Sequence, residues 1–560
     1  MKIVIIGGVA GGASCAARLR RLDEKAEITV FERSGYISYA NCGLPYYVGG
    51  VIESQDALTL QTPLSLKSRF NVDVKIKHEV IKINKENKTV SVKNLVSGEI
   101  FTKEYDKLVI ATGASPVYPD FYKPNEKIFT LRTVEDTLKI KNFIDTSLPK
   151  SATVIGGGFI GLEMAENLMR QNIKVTVVQR DNHLLSTVDS DMASFIHPHF
   201  LRRGATLLFN KNVTDITEKN GVLSTHIEGC SPILSDMVIL AVGVKPESKL
   251  AVDAGLTVGL KGAITVNEHM EACEDIYAVG DAVLIKHFIT EKDAVISLAG
   301  PANKQGRIAA DNICGIKSKY SGTQGSSVIK LFDLTVASTG INEETCKLLN
   351  INYEKIILSP LSHAGYYPGA TAMTIKALYD RNTKKILGAQ IVGYDGVDKC
   401  IDVIATAIRA KMDITELQDL ELAYAPPYSS AKSPVNMVGF IASNIERGIV
   451  KQFYYEDIEK LQKRDDVILL DTRTQFEYMR GHANGFINIP LDSLRSNLHL
   501  LDKSKKIYVM CQSGVRSYIA TRILMQNSFD AYNFTGGYRF YSGVLGDNVS
   551  KSTYPCGVDV

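Results

Sequence analysis

Two stretches of the chain carry the same pattern. A short, largely apolar run meets a cluster of glycines, and a segment rich in small residues follows. The first is Lys2-Ile-Val-Ile-Ile6 running into Gly7-Gly-Val-Ala-Gly-Gly12. The second is Ala152-Thr-Val-Ile155 running into Gly156-Gly-Gly-Phe-Ile-Gly161. An apolar run without polar alternation predicts a strand buried on both faces, and the segment beyond the glycines predicts a helix. A second apolar run follows each helix, at 28–32 and 175–179, so the pattern predicts two βαβ units about 150 residues apart. Further strands that end in glycine turns are predicted within 108–116, 238–246 and 276–282. A mixed region starts near 321, with strands at 328–331 and 387–392 and a helix near 399–411, and ends near Arg447. From 454 to about 544 the pattern restarts as a small α/β domain, with strands at 467–471 and 506–511 alternating with helical segments.

Composition narrows the class. The chain has 560 residues, 45% hydrophobic and 22% charged, with a net charge of +3. That balance is ordinary for a globular protein and predicts no nucleic-acid or membrane surface. No run approaches the length of a membrane span. The nine cysteines are scattered without paired spacing. This argues against a secreted disulfide scaffold and a zinc module, so no metal is expected and a reducing cytoplasm is.

The glycines carry the first chemistry. At a strand-to-helix turn they let a pyrophosphate approach the backbone and rest on the helix N-terminus. Gly156, Gly158 and Gly161 fit G-x-G-x-x-G in full. In the first unit Gly7 and Gly12 fit, flanked by Gly8 and Gly11, while Val9 takes the middle place. Glu32 ends the second strand, where a carboxylate takes ribose hydroxyls. The matching place in the second unit holds Gln179-Arg180, which leaves NADH against NADPH open. The order of Gly7–Gly12, Glu32, Ala111-Thr112-Gly113, Gly156–Gly161 and Val279-Gly280-Asp281 resembles the two-dinucleotide-binding flavoprotein disulfide reductases, over residues 1 to about 445. The resemblance implies FAD at the first unit, held by Gly7, Gly8, Gly11, Gly12, Glu32, Arg33, Thr112, Gly113, Gly280 and Asp281, the last on the ribityl chain. It implies NAD(P)H at the second, held by Gly156, Gly158, Gly161, Gln179 and Arg180. Hydride would pass from nicotinamide to flavin, and electrons on to a sulfur.

That sulfur is Cys42, in Ser38-Tyr-Ala-Asn-Cys-Gly-Leu-Pro-Tyr-Tyr47. The next cysteine is Cys230, so any redox partner of Cys42 must be a persulfide, a sulfenic oxygen or a small thiol. The segment resembles that of coenzyme A-disulfide and persulfide reductases, single-cysteine members of the family. Matched positions imply Ser14, Arg18, Arg21, Ser38, Asn41 and Lys432 as coenzyme A contacts. They imply Tyr367 and Tyr424 as tyrosines that reach the partner's cysteine in a homodimer, with Tyr366 and Tyr428 as open alternatives. NADH oxidases and peroxidases are the close rivals. Their first glycine turn carries a His that this one lacks. A sulfur-relay or redox-sensing flavoprotein is the non-enzyme alternative.

A second reactive sulfur is expected at Cys511-Gln-Ser-Gly-Val-Arg-Ser517, a C-x4-R-S loop between strand and helix. Successive N–H groups in such a loop form an anion nest. With Asp471, Glu477 and His482 upstream, it resembles the rhodanese fold, which implies Cys511 as persulfide carrier and Arg516 as its catalytic neighbour. Gln512 stands where that family often has Arg. The other cysteines, Cys556 among them, are expected to be structural or incidental. The expected fold class is α/β, in four parts. An FAD-binding domain spans 1–112 and 247–320, an NAD(P)-binding domain 113–246, an α+β dimerisation domain 321–445 and a rhodanese domain 455–548. The implied substrates are small thiols, disulfides, persulfides or polysulfides.

Overall fold

The structure is a computed structural model that describes residues 1–545. Cys556 and the last three positions of the expected rhodanese domain lie outside the described residues. The chain forms two compact units, Met1–Leu185 with Phe200–Gly325, and Ser186–His199 with the chain from Ser326 onward.

In the first unit, strand Lys2–Ile6 sits between Glu27–Glu32 and Lys107–Ile110, parallel to both. Asp73–Ile76 and Ile276–Ala278 extend the parallel sheet, and Glu271–Cys273 adds an antiparallel edge. Ile3, Val4 and Ile5 are buried, as an all-apolar central strand requires. Helix Ala10–Leu22 covers the sheet and packs on helix Ala299–Ile313. The second βαβ unit repeats the plan. Strand Ser151–Ile155 lies between Lys174–Val178 and Met237–Leu240, with Thr206–Leu208 and Ile128–Phe129 outside them, all parallel. Ala114–Pro116 pairs antiparallel with Val244–Pro246.

The second unit holds two sheets. Ser327–Leu331, Leu334–Gly340, Ile386–Gly393, Thr374–Asp380 and Tyr353–Leu358 form an antiparallel sheet in that order, with helix Val397–Arg409 packed against it. The second sheet is parallel, in the order Gln452–Phe453, Ala531–Phe534, Lys506–Met510, Val467–Asp471, Ile487–Asn488. The two are fastened together. Thr535 Oγ1 donates to the Ile357 carbonyl (2.8 Å) and accepts from the Ile357 N–H (3.0 Å), satisfying the edge of the antiparallel sheet. Lys355 reaches Glu456 at 2.6 Å.

One segment departs from the expectation. Residues 186–199 fall inside the expected 113–246 domain yet pack with the second unit. The cause is a buried charge. Lys376, 1% exposed on strand Thr374–Asp380, is held by Asp191 at 2.7 Å, Asp189 at 2.9 Å and Glu343 at 2.7 Å. A buried ammonium is tolerable only when paired, and two of its three carboxylates come from this segment.

Candidate active sites

The two glycine turns have one geometry. Gly7 has φ +100° and Gly156 φ +107°. A Cβ at either would lie 2.3 Å from the carbonyl oxygen of Ala111 or Ala241. A Cβ at Gly12 or Gly161 would lie 1.9 Å from the carbonyl oxygen of Gly7 or Gly156. Both turns therefore require glycine. Neither following helix has a side-chain cap. Helices that begin after Thr133, Ser433 and Thr474 close with capping boxes instead. The first N–H groups of the two glycine-turn helices are left for an anion.

The strand ends complete the likeness. Glu32, buried, accepts the N–H of Gly8 at 2.8 Å and that of Ser34 at 2.8 Å. Gln179 accepts the N–H of Gly157 at 2.8 Å, in the same structural place, while its amide donates to Asp181 at 3.1 Å. Arg180 is 80% exposed beside Asp181. A cavity of about 370 Å³ opens over the first turn, lined by Gly7, Glu32, Arg33, Thr112, Gly113 and Arg132 among others. Arg33 lies 3.9 Å from Glu247. Gly280, at φ +83°, donates to buried Gln305 at 2.7 Å, and Asp281 pairs with Arg132 at 2.7 Å. The cradle closed to any Cβ, the buried ribose-facing carboxylate and this cavity fit FAD at the first turn. The open Gly158, with nothing within 4 Å of a Cβ, fits a second dinucleotide.

Cys42 lies on the 3-10 turn Asn41–Gly43, which runs into helix Leu44–Val48, and is exposed. This helix is docked on helix Phe159–Arg170 of the second βαβ unit. A Cβ at Gly49 would lie 2.0 Å from Asn167 Oδ1, and Gln171 donates to the Gly49 carbonyl at 2.7 Å. Tyr46 OH donates to Glu163 at 3.4 Å. Desolvation drives the Glu163 carboxyl up to about 7, against the Tyr46 hydrogen bond and aided by Glu166. The Cys42 thiol is raised as well, by desolvation first and then by the Glu163 carboxylate, while Arg132 opposes. The residues around Cys42 in this unit therefore favour thiol over thiolate. Glu163 and Tyr46 were not singled out from sequence. The available signal was a carboxylate two places after the last glycine of G-x-G-x-x-G, on the packed side of the helix.

The expected coenzyme A contacts are partly committed elsewhere. Arg18 donates through Nε to Asp311 at 2.7 Å and Ser14 to Asn303 at 2.7 Å. Arg21 donates to the Ala17 carbonyl of its own helix at 2.9 Å. Asn41 lines the cavity over the first turn, and Ser38 holds a left-handed φ of +44°. In the second unit Tyr366, Tyr367, Tyr424 and Tyr428 are 83%, 42%, 62% and 72% exposed, so aromatic surface stands open on this unit. Tyr367 meets the His363 ring edge-on at 5.7 Å, and Lys432 is exposed. Of the remaining cysteines, Cys15, Cys346 and Cys400 are buried and Cys230 is exposed. Cys230 follows a hairpin strand on the surface and so has no part in a core.

Cys511 is buried at the start of its loop. Its sulfur accepts the N–H of Gly514 at 3.1 Å and the hydroxyl of Ser517 at 3.3 Å. Gly514 has φ +104°. Tyr538 N–H and Arg539 N–H take the carbonyls of Cys511 (2.7 Å) and Gln512 (3.0 Å), which turns those carbonyls away from the sulfur. Arg516 gives both terminal nitrogens to Glu477, at 2.7 and 2.6 Å, and this fork holds the Glu477 carboxyl down to about 2. Asp471 forks Arg473 instead, fully buried, and Arg473 stacks over Tyr538 at 3.8 Å and touches Gln512 at 3.3 Å. His482 stacks on Tyr478 at 3.9 Å and bonds its carbonyl. Arg516 and Arg473 are thus already paired.

Two dinucleotide cradles of one geometry, with a single cysteine docked between them, define a flavin- and pyridine-nucleotide-dependent disulfide oxidoreductase. The chain belongs to that family. Residues 1–306 match pyridine nucleotide-disulphide oxidoreductase, 326–434 its dimerisation domain and 455–543 the rhodanese-like domain. Coenzyme A disulfide reductase of Staphylococcus haemolyticus is 37% identical over 447 residues, 79% of this chain and 100% of the relative. Reduced Bacillus anthracis CoADR-RHD has 48% identity and a TM-score of 0.95, over 98% of this chain and 99% of that one. The NAD-dependent persulfide reductase from A. fulgidus has 36% identity and a TM-score of 0.90, over 97% and 100%. Among the described residues no helix is long and apolar enough to cross a membrane.

Proposed function

We propose that the chain is an NAD(P)H-dependent reductase of coenzyme A disulfides or persulfides that works as a cytoplasmic homodimer, with a rhodanese domain that handles sulfane sulfur. The observation that carries this is the solitary exposed Cys42 on a turn docked to the second nucleotide helix, with no second cysteine before Cys230. The names of the relatives support the choice of coenzyme A and persulfide.

Gly7, Gly8, Glu32 and Asp281 would hold FAD, which when bound would supply the two-electron store between a nicotinamide and the sulfur. The chain's residues do the rest. Cys42 attacks one sulfur of the substrate and keeps it as a mixed disulfide or persulfide while the other leaves as thiolate. Tyr367 and Tyr424, exposed on the second unit, would provide hydroxyls from the partner subunit and return the proton to the leaving thiolate. Gln179, the Asp181 carboxylate bonded to its amide and the exposed Arg180 beside it select neither NADH nor NADPH. Cys511 carries sulfane sulfur, cradled by Gly514 and Ser517.

The test separates the sulfurs. Cys42→Ser abolishes NAD(P)H oxidation with coenzyme A disulfide and with soluble persulfide. Cys511→Ser leaves both largely intact and abolishes sulfur transfer from a polysulfide. Persulfide reduction that survives Cys42→Ser would overturn the single-sulfur mechanism.

A further inference from the structure

Residues 359–373 join strand Tyr353–Leu358 to strand Thr374–Asp380 and carry Tyr366 and Tyr367 at their tip. The foot of this loop is stitched across itself. Met373 N–H donates to the Pro360 carbonyl at 3.0 Å and Ser362 N–H to the Thr371 carbonyl at 2.7 Å, and Leu361 bridges Ala372. One side of the foot rests on the dimerisation sheet, where a Cβ at Gly393 would lie 2.7 Å from Met373 Cβ. The other side is held by the rhodanese domain. Thr535 takes both backbone groups of Ile357, just before the loop. Gly536, at φ +85°, lies against the same residue, and a Cβ there would be 2.9 Å from Ile357 Cγ2. Arg539 reaches the far end of the foot and donates through Nη2 to the Ala372 carbonyl at 3.3 Å.

The holding residues are themselves fixed. They form the turn between strand Ala531–Phe534 and helix Gly537–Leu545, and the N–H groups of Tyr538 and Arg539 take the carbonyls of Cys511 and Gln512. Phe540, buried, packs against the rings of Tyr455 at 5.9 Å and Phe195 at 6.0 Å. Arg539 is the costly member of the turn. Burial lowers its guanidinium below the ordinary value, no carboxylate acts on it, and its Nε is buried without a hydrogen-bond partner. A half-buried cation without a counter-ion subtracts from folding stability, so stability alone does not account for it.

We propose that Thr535 and Arg539 are positioning residues of the reductase, through which the rhodanese domain braces the 359–373 loop and sets where Tyr367 stands. The inference rests on the reading of Tyr367 given above. It gives the rhodanese domain a second task, one that needs no sulfur on Cys511. Without the brace the foot keeps its stitches and its seat on Gly393, but the tip samples a wider range. Proton transfer from a hydroxyl is steep in distance and angle, so a small displacement of the tip is read out as rate.

The experiment uses the full-length protein and the variants Thr535→Val, Arg539→Met and Arg539→Lys. Hydrogen exchange over residues 361–373 reports the loop directly, and stopped-flow reoxidation by coenzyme A disulfide reports the hydroxyl. Thr535→Val and Arg539→Met are each expected to raise exchange in the loop about fivefold, the effect of about one hydrogen bond, and to slow reoxidation by a similar factor, while reduction by NAD(P)H stays within about twofold of wild type. Arg539→Lys, which can still reach a carbonyl, should recover part of both effects. Arg539→Met should not lower the melting temperature, because it removes an uncompensated charge. Loop exchange at the wild-type rate in both Thr535→Val and Arg539→Met would overturn the proposal. So would an equal rise in strand Ile386–Gly393, which would mean general loosening. Tyr367→Phe, measured beside them, reports the underlying reading. If it reoxidises at the wild-type rate, that reading fails and loop exchange still decides the brace. If it is slow while the loosened variants reoxidise normally, only the positioning role fails.

Discussion

Glu163 offers a test whose sign runs against the usual expectation for a functional residue. Its carboxyl is raised from an ordinary 4.5 to about 7, mainly because helix Leu44–Val48 and its own helix desolvate it, with Glu166 one turn away. An upward move of this size corresponds to about 3 kcal/mol. Below pH 4.5 the group is protonated in both folded and unfolded chains and contributes nothing to the pH dependence. Between 4.5 and 7 the unfolded chain releases a proton that the folded one keeps, so stability falls as pH rises, and above 7 the full penalty stands. Glu163→Gln keeps the shape and the Tyr46 acceptor while removing the charge. We expect it to match wild type near pH 4.5 and to be more stable at pH 8 by up to about 3 kcal/mol, a rise of a few degrees in melting temperature for a unit of this size. The same change removes the carboxylate that raises Cys42. The pH midpoint for alkylation of Cys42 by iodoacetamide in the oxidant-free protein should therefore fall. The assay is a melting series from pH 4.5 to 8.5 beside the alkylation profile. Parallel melting curves for variant and wild type across that range, or an unmoved alkylation midpoint, would show that Glu163 is an ordinary ionised carboxylate and that this account of the Cys42 environment is wrong.

Two further outcomes are expected. Lys376→Met leaves buried Asp189 and Asp191 without their cation, while Glu343 keeps Lys347 and Lys355, and should cost about 3–5 kcal/mol in urea unfolding of the second unit. Adding Asp189→Asn, Asp191→Asn and Glu343→Gln should recover most of it, and failure to recover would mean that the loss lies in packing and not in charge. Tyr367→Phe and Tyr424→Phe should slow stopped-flow reoxidation by the disulfide substrate while reduction by NAD(P)H stays near wild type. Sedimentation should give twice 61.5 kDa, and full activity in a monomer would remove these tyrosines from the mechanism.

How much was legible in the sequence follows from how local each constraint is. The Gly7 and Gly156 turns were readable because a left-handed φ and a carbonyl in the place of a Cβ admit glycine alone, and the strands beside them were readable because burial on both faces leaves them largely apolar. The lone Cys42 and the Cys511 loop were readable because a reactive sulfur needs its spacing and its turn within a few residues. Tertiary structure decided the rest, wherever the partner lies far along the chain. Lys376 draws the 186–199 segment into the second unit through charges that no local pattern reveals. Arg516, read as a catalytic neighbour, is bound by Glu477 across 39 residues. Desolvation of Glu163 depends on a helix more than a hundred residues away. Sequence periodicity records which side of an element is buried. It does not record what that side is buried against, and the charge states depend on that.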